Sequence, residues 1–243
     1  LYELDTSAVI DNIRRINQGA QVSFSFTIIE GQPLRDVVAN IQKQAHLSQD
    51  LDTENLAAQI SNTKENLEGW LFPDTYHYHS EDSASGLLKR AYNKMQQELD
   101  TAWQTRAPDL VLSSPYEALI LASIIEKETG LASERPLISA VFTNRLKTNM
   151  RLQTDPTVIY GIGADFDGDI KRKDLTTYTP YNTYKIKGLP PTPIAMPSKA
   201  AILAAVNPPE SEYVYFVAKG DGSHQFSKTL QEHNRAVKQY QIN

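Results

Sequence analysis

The spacing of hydrophobic positions changes period along this chain. Phe24, Phe26 and Ile28 alternate with Ser25 and Thr27, the period of two that predicts a half-buried strand. After a turn at Glu30-Gly31-Gln32-Pro33, Leu34, Val37, Val38 and Ile41 recur at helical spacing, and a second short helix is expected through Leu56 and Ile60. The aromatic run Leu67 to Tyr76 holds Gly69 and Pro73, so an edge strand or a strand followed by a turn is predicted there. From Ser83 to about Arg106, Leu87, Leu88, Tyr92, Met95 and Leu99 form the apolar stripe of a long helix. Ser114-Pro115 reads as a cap and first-turn proline for a helix ending at Gly130. A further helix, capped by Ser133, carries Ile138, Val141, Phe142 and Arg145 to about Asn149.

The C-terminal third is predicted as a short helix from Ser198 to Val206, stopped by Asn207-Pro208-Pro209. A strand over Tyr213 to Ala218 turns at Gly220-Asp221-Gly222 into His224-Gln225-Phe226. The last helix is expected to be capped by Ser227, with His233 and Asn234 buried and hydrogen-bonded. These elements define an α+β protein. An N-terminal region (1–66) contains a small module over about 21–66, and a mixed domain (67–243) has a helical core and a C-terminal β-hairpin region.

Composition narrows the function classes. The 243 residues are 40% hydrophobic and 22% charged, an ordinary globular balance. The net charge of −5 argues against a nucleic-acid partner, whose binding needs phosphate neutralisation. Without a cysteine there is neither a disulfide nor a thiolate metal site. His77 and His79 share a strand face but lack a third ligand nearby, so no metal and no cofactor is expected. No apolar run approaches the ~20 residues of a membrane span. Because the chain opens at Leu1 without an initiator Met, an anchor or a signal segment is expected upstream of it.

The candidate chemistry centres on one acid. Leu121, Ile124, Ile125 and Glu128 follow i, i+3, i+4, i+7, so Glu128 points where aliphatic side chains point. Apolar surroundings favour a neutral carboxyl, the requirement for a general acid near neutral pH. Glu126 lies about 200° around the helix and reads as solvent-facing. The triplet Gln153-Thr154-Asp155 ahead of Pro156 reads as a cleft wall or as an Asp cap. In the Pro-rich segment that follows, Tyr181 and Asn182 can be presented to a polar ligand, and His224 stands at the start of the return strand. Trp70, Phe72, Tyr76 and Tyr78 are either core or a flat stacking surface.

Two resemblances add to this reading. The order strand, turn, helix, helix near the N-terminus resembles a LysM module, which binds N-acetylglucosamine-containing glycans; a small packing unit without ligand is the alternative. On a larger scale, Glu68-Gly69-Trp70-Leu71-Phe72-Pro73-Asp74-Thr75-Tyr76, Ala122-Ser123-Ile124-Ile125-Glu126-Lys127-Glu128-Thr129, Asn144-Arg145-Leu146, Met150 to Gly161, Tyr181-Asn182-Thr183-Tyr184, Gly188-Leu189-Pro190-Pro191, Pro197 and Tyr215-Phe216-Val217 resemble the MltG (YceG-like) family of endolytic peptidoglycan transglycosylases.

That resemblance implies cleavage of the β-1,4 bond between N-acetylmuramic acid and N-acetylglucosamine within a strand, leaving a 1,6-anhydro-muramic acid end. One glutamic acid of the Glu-Lys-Glu-Thr motif serves as acid and then base, with Glu128 preferred and Glu126 second. Gln153, Asp155, Tyr181, Asn182 and His224 are then the expected substrate-binding residues. Peptidoglycan strands and the cell-wall synthesis machinery are the implied partners, and the implied location is an extracytoplasmic domain of a single-pass membrane protein. A hydrolase pairing Glu128 with Asp155 and a non-catalytic glycan-binding scaffold are the other two readings.

Overall fold

A computed structural model describes residues 21–61 and 66–241, together with Val9 and Ile13. The remainder of the expected region 1–66 lies outside the described residues. The first unit runs β1 (Phe24–Thr27), α1 (Leu34–Ile41), α2 (Leu56–Ser61) and β2 (Thr75–Tyr78). β1 and β2 pair antiparallel, with Phe24 opposite Tyr78 and Thr27 opposite Thr75. Alternation sends Phe26, Tyr76 and Tyr78 inward, where they pack with Val37, Ile41 and Leu56. His77 falls on the opposite, exposed face of β2. The small sheet thus takes its second strand from beyond position 66.

α3 (Ala84–Gln104) joins two cores. Its first half buries Leu87, Leu88 and Ala91 against the small sheet, and its second half buries Met95, Leu99 and Ala102 against the main helical core. Ser83 caps it by accepting from Gly86 N.

The centre of the second unit is α4 (Pro115–Glu128), packed by α5 (Arg135–Lys147) and α8 (Lys199–Val206). Every residue from Ala118 to Ile125 is buried, so this helix has no solvent side along that stretch. α6 (Asp155–Ile162), a short 3-10 turn and α7 (Arg172–Thr176) lie between α5 and α8 in sequence. The hairpin β3 (Tyr215–Ala218) and β4 (His224–Ser227) pairs Phe216 with Phe226 and packs on α9 (Leu230–Tyr240). No helix among the described residues is long and apolar enough to cross a membrane.

Local expectations needed correction at three caps and faces. α9 is capped by Thr229 in a reciprocal box with Glu232, not by Ser227, which is a buried strand residue. α5 begins at Arg135 with Glu134, not Ser133, in the cap position, and Glu134 makes no side-chain capping bond. Asn234 is exposed, and His233 is half-buried with no hydrogen-bond partner on Nδ1.

The two units are bolted together by hydrogen bonds to backbone groups. Gly31 N donates to Met196 O at 2.8 Å, Met196 N donates to Gln32 O at 2.8 Å, and Lys127 Nζ donates to Gly31 O at 3.2 Å. Gly69, at φ +81°, passes so close to the Pro-rich loop that a Cβ there would stand 2.5 Å from Pro193 Cβ. The aromatic motif and the Pro-rich motif are therefore two sides of one packed junction.

Candidate active site

Glu128 closes the C-terminal end of α4 and opens into a cleft of 310 Å³. Gln153, Asp155 and His224 line the same cleft, joined by Arg145, Tyr184 and His233. The turn before α6 makes this convergence possible. Gln153 adopts φ +49°, a left-handed conformation costing on the order of 1 kcal/mol for a residue with a Cβ. It is held there by Gln153 N donating to Thr183 O at 3.3 Å and Thr154 N donating to Thr183 Oγ1 at 3.0 Å. The reversal aims the Thr154 hydroxyl at Glu128 Oε1, to which it donates a short hydrogen bond.

Burial pushes the Glu128 carboxyl up to about 7, and the neighbouring Asp155 charge adds to the rise. Thr154, His224 and Arg145 act in the opposite direction. Asp155 is exposed in the first turn of α6 and does not cap it, since Thr154 occupies the cap position. Its Oδ1 accepts from Tyr184 Oη at 2.7 Å, and burial together with this bond raises the Tyr184 phenol. Of the two readings of Gln153-Thr154-Asp155, the cleft wall is the one observed.

Arg145 is the residue that sequence reasoning left as part of a helical stripe. It is 7% exposed, yet its guanidinium donates to Val214 O at 2.7 Å, Leu152 O at 2.6 Å and Arg151 O at 3.3 Å. Its neighbour Asn144 donates to Ser211 O and Tyr213 O. The Asn-Arg pair thus draws the segment entering β3 and the turn before α6 onto one helix. An arginine sharing a face with Ile138, Val141 and Phe142 was the available signal, because a buried guanidinium must be satisfied by acceptors brought to it. His224 is oriented by Glu134, whose carboxylate oxygens meet His224 N at 2.9 Å and Nδ1 at 2.7 Å.

Glu126 does not face solvent, which corrects the expectation from helical phase. Its carboxylate pairs with Arg135 Nη2 at 3.1 Å and accepts from Ser198 N at 2.9 Å and from the Ser198 hydroxyl, at the start of α8. With both oxygens committed, it is a structural tie between α4, α5 and α8.

Tyr181 and Asn182 do not reach the Glu128 cleft. Asn182 is 1% exposed; its Nδ2 donates to Asp174 O, Leu175 O and Thr177 O, and its Oδ1 accepts from Tyr184 N. Tyr181 packs edge-on to Tyr160 at 4.9 Å and lines a separate cavity. Phe72, Tyr76 and Tyr78 are core, and Trp70 stacks on Tyr116 at 6.0 Å and 9°.

A carboxyl raised by burial and lining a cleft with Arg145, Gln153, Asp155 and His224 is the arrangement that general acid–base chemistry requires. The chain belongs to the YceG-like family, whose model matches residues 1–239. It is similar to the endolytic murein transglycosylase of Bacillus subtilis, 35% identical over 261 aligned positions that cover 98% of this chain and 72% of that protein. The endolytic murein transglycosylase of Streptococcus pneumoniae is 30% identical over 84% of this chain, which spans only 38% of that longer protein. Among solved structures, a YceG-like protein of Listeria monocytogenes superposes with a TM-score of 0.69 at 32% identity, covering 96% of this chain and 83% of that one.

Proposed function

We propose that this protein is an endolytic murein transglycosylase that cleaves the β-1,4 bond between N-acetylmuramic acid and N-acetylglucosamine inside a glycan strand. The observation that carries the reading is the Glu128 carboxyl, desolvated to about 7 in a cleft that it shares with Arg145, Gln153, Asp155, Tyr184 and His224. Protonated Glu128 gives its proton to the glycosidic oxygen as the C1–O bond breaks. The C6 hydroxyl of the same muramic residue then bonds to C1, and the Glu128 carboxylate takes up the hydroxyl proton. Nucleophile and electrophile belong to one sugar, so no water need be recruited.

Thr154 orients the Glu128 carboxyl, while Gln153 and His224 supply polar groups to the N-acetyl and hydroxyl substituents. Asp155, exposed and braced by Tyr184, is placed to steady positive charge developing at C1. Arg145 positions this set through the backbone carbonyls it holds. Asn182 serves the same end by fixing the loop that carries Tyr184. The β1-α1-α2-β2 unit, with its boundary moved past β2, is read as a LysM-like glycan-binding module. In this reading the protein works at the wall outside the cytoplasm, tethered to the membrane and associated with wall synthesis.

A second reading has one observation in its favour. Asp155 shares the cleft and raises Glu128 electrostatically, as the second acid of a hydrolase would. Mass spectrometry of purified, uncrosslinked strands after digestion separates the two. Anhydro-muramic ends that disappear in Glu128→Gln support the lytic reading. Reducing muramic ends mean hydrolysis, and strands of unchanged length mean a scaffold.

A further inference from the structure

A second buried carboxyl takes no part in the chemistry proposed above. Glu68 is 4% exposed and stands at the junction of the two units, bonded to one residue of each. Its Oε1 accepts from Leu34 N, the first residue of α1, at 2.9 Å, and its Oε2 accepts from Tyr160 Oη of α6 at 3.1 Å. The Gly69 backbone N–H is a third donor to this carboxyl, and since a carboxyl offers about four lone-pair positions, one acceptor position is left unused. That capacity borders a cavity of 640 Å³, twice the size of the Glu128 cleft.

The lining is amphipathic. Leu34, Val38 and Ala39 give one aliphatic wall, and Tyr160 and Tyr181 give an aromatic one. Arg35 reaches across the junction, because a Cβ on Gly163 at the end of α6 would lie 3.9 Å from its Nη1. Asp155 at the other end of α6 faces the Glu128 cleft, about 7–8 Å along the helix axis from Tyr160. α6 is thus the wall shared by the two hollows.

We propose that the Glu68 cavity is a second saccharide site, binding a neutral N-acetylated hexosamine unit of the glycan other than the one being cleaved. Ring C–H faces suit the tyrosine and aliphatic walls, and a hydroxyl or amide N–H suits the remaining acceptor position of Glu68. Arg35 on the same lining favours a neutral hydrogen-bonding ligand over a cationic amine. Only the choice of sugar rests on the murein reading; the site itself rests on the cavity.

The test uses the full chain as Glu128→Gln, titrated with the β-1,4-linked tetramer of N-acetylglucosamine and followed by backbone amide NMR. Saturable shifts are expected at Leu34 and Gly69, with a midpoint distinct from those at Gln153 and Thr154. Adding Ala39→Trp, at an exposed position on the cavity wall, should weaken the Leu34 response at least tenfold and leave the Gln153 response in place. Glu68→Gln, which keeps the shape, should weaken it by a smaller factor. Shifts confined to Gln153 and its neighbours, or a Leu34 response untouched by both substitutions, would overturn the site. In parallel, the parent chain is assayed for strand cleavage. Cleavage without a Leu34 response sinks the second site and spares the murein reading. A saturating Leu34 response in a chain that cleaves nothing sinks the murein reading and keeps the saccharide site.

Discussion

At neutral pH a carboxyl raised to about 7 is half protonated, so Glu128 can give a proton and take one back without large cost in either direction. Glu128→Gln should reduce cleavage by about 10²–10⁴-fold while leaving the fold intact, measured as product formation per folded molecule. The first step needs the protonated form, so the pH–rate profile of the parent should fall as pH rises through about 7. Stability should follow the same proton. The carboxyl titrates near 4.5 when unfolded and near 7 when folded, so the advantage of burying it neutral is complete below about 4.5 and lost as pH rises through 7. Glu128→Gln never ionises. Its melting temperature should therefore exceed the parent's by a margin that grows between pH 5 and 7 and levels off above.

Helices and turns set what these residues can do. Glu126 and Glu128 differ by two positions on α4, and their roles separate because α4 ends between packed neighbours on one side and a cleft on the other. Glu126→Ala would leave Arg135 without its partner and α8 without its tie, a loss on the order of 3 kcal/mol in urea unfolding. Activity per folded molecule should fall far less than in Glu128→Gln. The opposite ranking would reverse the assignment of the two acids. Gly69→Ala tests the junction of the aromatic and Pro-rich motifs. A positive φ and a Cβ driven into Pro193 should together cost at least ~2 kcal/mol, read as a lowered melting temperature.

Across the molecule, the two units are joined by the shared helix α3 and by the backbone bonds at Gly31 and Met196, so they are expected to unfold together. Removing residues 21–61 would uncover Leu67, Leu71, Tyr76 and Met196, all buried in the first core. The remaining chain should lose its cooperative thermal transition and bind a hydrophobic dye. A sharp transition in the shortened chain would show instead that the second unit folds alone.

Periodicity alone determined that this chain is α+β, and it located the strand at Phe24, the long helix after Ser83 and the hairpin around Gly220, because alternation and helical spacing are local signals. Glu128, Gln153, Asp155 and His224 were also legible as candidates, and the fold brings these four to one cleft. Helical phase failed at Glu126 because phase distinguishes faces only when one face meets water, and α4 is buried on every side from Ala118 to Ile125. Tyr181 and Asn182 were legible as polar loop residues, but which cavity a loop faces depends on the helix it wraps. Arg145 and Glu68 gained their roles only through carbonyls and hydroxyls contributed from distant positions, a pairing that no local pattern encodes. Sequence thus determined the acids available to this protein; tertiary packing decided which acid ties helices together and which opens on a cleft, by engaging both oxygens of Glu126 with Arg135 and Ser198 and leaving Glu128, held by Thr154, at the cleft.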